Sequence, residues 1–371
     1  MAFDFDQADT LIYSDNPEAL RTALGGNPAV HVATPTNAIL YEAEVVDGRK
    51  RVFYYHQNFD ATPRTIAMRL VNLTQTAVTL KAIKHIETPA GEVLSVGHRS
   101  VVGFLKALVA EGWSSFTLQP VGQADDDVVF AVSVAGAGQL ASAFVELDIP
   151  VGANIKVQVI SAASEAGVAG VGKNGPIPGD GDLIGRSGVY DLTRNGTSAG
   201  DSGDLTWTAG GPRLEISVPS PPTFPNSKIP KVGPKPNPPG GMYKPSEAVY
   251  GVFTRRTITL ANPTGAEAEV GVYIQACGGD SPGTCMLDDE LIELGTMSSP
   301  TDAKKRPGYE IGSYKIPAGD PGNTTIEVLA TVDPSGSGPL KIVVAPKGTV
   351  LEPPPGSKQV VFTPGGAPWQ A

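Results

Sequence analysis

The chain has four histidines, His31, His56, His85 and His98. None is spaced as HxH, HxxxH or HExxH, the patterns that bring imidazoles onto one metal. A shared site of His56 and His85 with His98 is one reading. Strand-end histidines bonded to backbone is the simpler one. Carboxylates cluster at Asp125-Asp126-Asp127, Asp180-Gly181-Asp182, Asp201 to Asp204, and Asp288-Asp289-Glu290. Calcium takes six to eight oxygens from a shaped loop. Pro178 to Asp182 and Asn195 to Asp204 have that composition without EF-hand spacing, so solvated turns are the expectation and the metal stays unknown.

Nucleophilic chemistry has little support. There is no Gly-x-Ser-x-Gly elbow. Gly200-Asp201-Ser202-Gly203 matches the setting of a serine-protease nucleophile, but no histidine lies in the context such an enzyme needs. Gly167 to Gly172 is glycine-rich, yet no P-loop Lys-Ser/Thr follows. No catalytic set and no cofactor are expected.

Phe53-Tyr54-Tyr55-His56 is the conspicuous aromatic group. Neighbours on a strand point to opposite faces. Tyr54, or Phe53 with Tyr55, should therefore face outward, and Tyr54, Tyr55 and His56 form a platform for stacking on a sugar or a partner. The alternative is a strand whose second face is covered by another part of the protein. Cys277 and Cys285 are eight apart, around GGDSPGT. The spacing closes a small hairpin loop and suits a disulfide worth about 2–3 kcal/mol. Two small core residues is the alternative.

The 371 residues suffice for about two or three domains. Glycine and proline are 44 and 34, together 78 residues, about a fifth of the chain; average usage gives ~12 %. They fall at turn positions, which marks a turn-rich all-β protein. Net charge is −10, and no basic stripe is interleaved with aromatics, so nucleic acid is excluded as a partner. No run approaches the ~20 apolar residues of a membrane span. Met1 to Asp6 has neither the basic nor the apolar region of a secretory signal peptide.

The elements that must position these residues follow from period-two alternation. Residues 1–36 read as irregular, with a short helix starting at Ser14 or Asp15. A first β-sandwich is expected over 37–160, with turns at Asp47-Gly48, Asn58 to Pro63 and Pro150 to Asn154. It contains one amphipathic helix near 96–111, capped by Ser95 or Ser100 and lying across an end or edge. Residues 161–248 read as a Gly/Pro-rich connector with a few strands, and 219–245 as an extended proline-rich arm. A second sandwich is expected over 249–346 and a proline-rich tail over 347–371. Arg64-Thr65-Ile66 and Arg256-Thr257-Ile258 each open a strand that ends in Asn-x-Thr and resumes as a second strand, which suggests two related Ig-like sandwiches.

YSDNPEAL (13–20), ILYEAEVVDGRKRVFYYHQN (39–58) and RTIAMRLVNLTQTAVTL (64–80) together resemble a group of poorly characterised bacterial exported proteins, some labelled copper-amine-oxidase-like for an appended domain. YGVFTRRTITLANPTGAEAEVGVYI (250–274) is similar to their second β region. The resemblance implies a β-sandwich protein outside the cell or at its surface, with no known active site.

The expectation is therefore all-β: two Ig-like sandwiches, one helix, and long Gly/Pro-rich connectors. Two functions are compatible with it. One is a non-enzymatic structural or surface protein that self-associates or binds protein partners through its sandwiches and arms. The other is a carbohydrate- or ligand-binding module.

Overall fold

The computed structural model describes residues 8–15, 19–23, 33–175, 187–191, 205–218, 250–276, 281–288, 290–297, 308–332, 340–349 and 360–362. The chain forms two compact units. One lies mainly within Gln7–Leu192, and the other within Thr193–Pro225 and Glu247–Ala371.

The first unit contains β1 (Ala8–Ser14), β2 (Ala19–Leu20), β3 (Ala38–Asn58), β4 (Arg64–Asn72), β5 (Val78–Ile86), α1 (Val93–Val109), β6 (Ser114–Leu118), β7 (Asp127–Ala135), β8 (Leu140–Ala162), α2 (Glu165–Gly170) and β9 (Gly188–Asp191). Its frame is the antiparallel ribbon of β3 and β8, paired from Ala38↔Ser161 to Gln57↔Leu140. The turns expected at Asp47-Gly48 and Pro150 to Asn154 are not hairpins. They are facing bends in these two continuous strands. Val46 pairs with Asn154 and Gly48 with Ile149, so Pro150 to Ala153 bulge opposite Asp47 alone. Gly48 has φ +100°, and a Cβ there would lie 2.2 Å from the Asp9 carboxylate, so only glycine fits.

The ribbon thus joins two layers of one nine-stranded sheet. One has the order β6-β5-β8-β3-β1-β9, using residues 143–148 of β8 against β5. The other adds β4 to residues 155–162 of β8 and β7 to β4. One continuous core joins their facing sides, including Val52, Tyr54, Met68, Leu80, Val145 and Val157. This is a sandwich by packing, with both outer faces covered in part by helices. Within 1–36, read as irregular from the sequence, Ala8–Ser14 is a strand: Leu11, Ile12 and Tyr13 are buried in β1, which runs parallel to β3.

Helix α1 starts at Val93, where the Glu92 carboxylate caps the N–H of Ser95 in place of a serine hydroxyl. It packs on β8 and β5, over a sheet face and not across an edge. Val96, Val101, Phe104, Leu105 and Leu108 form its buried stripe. Gly103 has a packing reason: a Cβ there would lie 2.2 Å from the His85 ring. On the opposite outer face, Val168 and Val171 at α2 pack with Ile39, Ala67, Ile160 and Ala162.

The second unit contains β10 (Leu205–Thr208), β11 (Leu214–Val218), β12 (Thr254–Asn262), β13 (Ala268–Ala276), β14 (Ser281–Leu287), β15 (Glu290–Met297), β16 (Gly308–Ile316), β17 (Asp320–Val332), β18 (Leu340–Pro346) and β19 (Val360–Phe362). They form a six-stranded sheet, β10-β12-β17-β14-β15-β19, and a four-stranded sheet, β11-β18-β13-β16. The sheets pack on each other through β17 against β18 and β12 against β16. The passage 161–248 is not a connector throughout: α2 and β9 belong to the first unit, while β10 and β11 pair within the second. The proline-rich arm at 219–245 lies outside the described residues.

The Asn-Thr repeat is real, and it is an arch between layers. Strands β4 and β5 each pair with β8; β12 and β13 lie in different sheets. Asn72 Nδ2 donates to the carbonyls of Thr76 (2.8 Å) and Gln119 (2.8 Å). Its Oδ1 accepts the Thr74 N–H at 2.8 Å. Asn262 repeats this with Ala266 (2.8 Å), Ile316 (3.0 Å) and the Thr264 N–H (3.1 Å). Asn58 is a third copy, bonded to Thr62 (2.9 Å), Ala135 (2.9 Å) and the Asp60 N–H (3.0 Å) where the chain leaves β3 for β4. All three asparagines are fully buried. The amide is the side chain that supplies one acceptor and two donors to this place. Asn72→Ala takes the partner from the half-buried Thr74 N–H and from two carbonyls, so we expect a loss of about 1–2 kcal/mol, read as a lower urea midpoint at unchanged slope.

Candidate functional site

Tyr54, Tyr55 and His56 do alternate, but both faces of their strand are covered. Tyr54 is 1 %, Tyr55 2 % and His56 0 % exposed, so the expected ligand platform is not a surface. Tyr54 points into the sandwich, where its hydroxyl shares a 3.0 Å hydrogen bond with Ser133 Oγ. Burial pushes that phenol well above its usual range, outweighing the Ser133 bond. Tyr55 and Phe53 point the other way, under α1. The Tyr55 hydroxyl donates to the Val93 carbonyl at 3.2 Å, in the first turn of that helix. Phe53 stacks on Phe144 at 4.3 Å, and Phe144 on Phe104 of α1 at 5.2 Å. The helix is the missing layer: placed on an edge, it would leave these rings exposed.

His56 Nε2 lies 2.9 Å from Ser14 Oγ. The neighbouring Asp15 accepts the Tyr13 hydroxyl at 2.9 Å and donates its N–H to Ser187 Oγ at 2.9 Å. Sequence reasoning did not join Ser14 to His56, which are 42 residues apart; the parallel pairing of β1 with β3 does so. The distance is that of a nucleophile and its base. Ser14, Asp15 and His56 are all fully buried, however, which withholds them from a substrate. Here the pair satisfies two polar groups inside the sandwich.

His85 has a different partner. Its Nε2 lies 3.1 Å from Glu87 Oε2, while Arg99 Nε donates to Glu87 Oε1 at 2.9 Å. Burial pushes the Glu87 carboxyl up, but His85 and Arg99 together hold it below the usual range. The network fastens the end of β5 to α1. No group of three or more His, Cys, Asp or Glu is placed to hold a metal among the described residues.

The aspartates at 125–127 serve a strap. After α2, the Val171 and Gly172 carbonyls accept from Arg69 at 2.6 and 3.2 Å. The Lys173 carbonyl accepts from Gln158 Nε2 at 2.7 Å. The Lys173 ammonium bonds Asp126 and lies 3.1 Å from Asp127. Burial pushes the Asp126 carboxyl up, yet Lys173 and the Gly122 N–H outweigh it and hold the group below its ordinary value. Burial likewise lowers the Lys173 ammonium, and the two aspartates raise it by more. The depressed carboxylate stabilises the fold above its unfolded value of about 4, and that contribution fades as pH falls through the folded value. The raised ammonium contributes below about 10.4 and loses its part at higher pH. We expect hydrogen exchange over Val171–Gly175, corrected for intrinsic rates, to accelerate below about pH 4. Lys173→Met should abolish that dependence.

Asp288 accepts the Tyr314 hydroxyl (2.7 Å) and the Glu327 N–H (2.9 Å), a turn role. Asp289, His31, Asp180-Gly181-Asp182 and the stretch from Asn195 to Asp204, with Ser202, lie outside the described residues. Cys285 is buried on β14, in register with Ala330 and Ile292, so Ser281 to Thr284 are strand and not hairpin loop. Cys277 lies outside the described residues. Sequence reasoning also missed Trp113, a half-buried indole just after α1, with the Arg49 guanidinium 4.8 Å above its ring.

No protein-family model matches the chain, and no curated protein matches it. Among solved structures, a cryo-EM structure of T=1 Penaeus vannamei nodavirus aligns over 76 % of this chain and 81 % of that one, at 9 % identity and a TM-score of 0.16. The N-terminal CBM22-1-CBM22-2 tandem domain of Paenibacillus barcinonensis Xyn10C aligns over 79 % and 74 %, at 10 % identity and a TM-score of 0.13. Scores this low carry no argument about fold or function. No helix among the described residues is long and apolar enough to cross a membrane.

Proposed function

We propose that this is a non-enzymatic structural or surface protein that assembles through its β-sandwich units and extended arms. One observation supports the reading above the others. Among the described residues, the side chains that looked chemical are engaged within the first unit: Tyr54 with Ser133, Tyr55 with Val93, His56 with Ser14, and His85 with Glu87. The sheets also present open strand edge, such as that of β7, which is backbone chemistry that recognises other strands. Residence outside the cell or at its surface follows from the resemblance to exported proteins. Size-exclusion chromatography with light scattering tests the proposal, on the full chain and on a chain lacking 219–245. Assembly that weakens on the deletion is expected. A strict monomer at every concentration, with and without the arm, would overturn it.

A carbohydrate-binding role has a separate support. Trp113 is an aromatic ring near the surface, backed by Arg49 and flanked by exposed Ser114, Ser115 and Thr117. Glycan-array binding that disappears in Trp113→Ala would favour this reading. A blank array would count against it.

A further inference from the structure

Strand β7 lies at the edge of its sheet, and among the described residues it pairs with β4 alone. From Val128 to Ala135 it reads VVFAVSVA, with no charge, proline or glycine. Such an edge invites another strand unless something blunts it. Its first half is blunted. The register against β4 slips between Met68 and Arg69, which makes a bulge at Phe130. The Phe130 carbonyl accepts the Lys84 ammonium at 2.8 Å, and its ring stacks on Phe116 of β6 at 5.1 Å. The second half, Ala131 to Ala135, has no comparable guard among the described residues, and Val134 there is 47 % exposed.

We propose that Ala131–Ala135 is a self-association edge, at which β7 of a second copy adds as an antiparallel strand. The inference rests on the assembly reading above and gives it a site. The chemistry of a strand edge selects a strand. Charge selects which one. The chain carries −10, so two copies repel over most of their surface. An uncharged edge is where they can meet without opposing like charges, and the nearby Asp126 and Asp127 share the Lys173 ammonium as a counter-ion. A two-fold axis at Ser133 sets Val132 against Val134 and Ala131 against Ala135 of the other copy, and closes the contact as a dimer. Ser133 itself is turned inward to Tyr54 and leaves the axis clear.

The test is sedimentation velocity of the full chain from low micromolar to several hundred micromolar, with hydrogen exchange at both ends of the range. The expected result is a reversible dimer whose Ala131–Ala135 amides gain protection on association. Val134→Lys should weaken the dimer at least about tenfold by placing two ammonium groups near the axis, with an unchanged melting temperature. Val151→Lys, at the exposed bend of β8, should leave it intact. A dimer that survives Val134→Lys with these amides exchanging freely would overturn the edge. Assembly that depends on 219–245 and ignores Val134→Lys would overturn the edge and leave the assembly reading standing. A strict monomer would overturn both.

Discussion

Glu146→Ala should destabilise the first unit by about 3–5 kcal/mol, enough to unfold a domain of ordinary stability. Arg51 and Glu146 are both fully buried on adjacent strands of the β3–β8 ribbon, at Arg51↔Glu146 in register. Arg51 Nε and one terminal nitrogen donate to Glu146 Oε2 at 3.2 and 2.9 Å. The guanidinium also lies 5.6 Å above the Phe104 ring of α1. Removing the carboxylate takes two charge-assisted hydrogen bonds from a buried cation, and from Arg49 a carboxylate 3.9 Å away. The loss of the pair is not the whole of that cost. The double replacement Arg51→Met with Glu146→Met removes both charges at similar volume, and should fall within about 1–2 kcal/mol of the wild type. A urea-denaturation cycle over the wild type, Arg51→Met, Glu146→Met and the double variant separates the coupling from the desolvation. Additive single effects would show that the two groups do not act as a pair.

Phe144→Ala has the second large expected effect, again about 3–5 kcal/mol. Phe144 is fully buried between Phe53 on β3 and Phe104 on α1. Its removal opens a cavity where the helix meets the sheet, with rings on both sides that cannot collapse far. We expect amides of α1 to exchange faster than those of β4, which packs on the opposite side of the core. Equal acceleration in both would mean that the helix has no separate stability and unfolds with the sandwich.

Much of the fold was legible in the sequence because it rests on local pattern. The alternation in Thr65–Val71 and Val78–Glu87 placed β4 and β5 to within a residue at each end. The spacing of Val101, Phe104, Leu105 and Leu108 placed α1 to within a few residues. The Asn-x-Thr repeat pointed to a shared device, since asparagine is buried at a chain reversal only when its amide is fully used. The unread parts are those set by distant partners. Asp47-Gly48 looks like a hairpin turn, and only the facing bulge at Pro150–Ala153 shows it to be a bend in a strand of 21 residues. The third arch, at Asn58, differs from the others by Asp60 in place of threonine and was passed over as a plain turn. Ser14 and His56 meet through a parallel pairing that no local pattern announces.

The apparent site was misread for one physical reason. A strand with Phe53-Tyr54-Tyr55-His56 in succession can be covered on both faces, and the covering layers come from β7 and α1, far along the chain. The central claim is that these residues build the interior and do not meet solvent. Nitration by tetranitromethane with peptide mapping tests it most directly. Native protein should leave Tyr54 and Tyr55 unmodified, and both should label once the chain is unfolded in denaturant. Labelling of Tyr54 and Tyr55 in native protein at the rate of the unfolded chain would contradict the account.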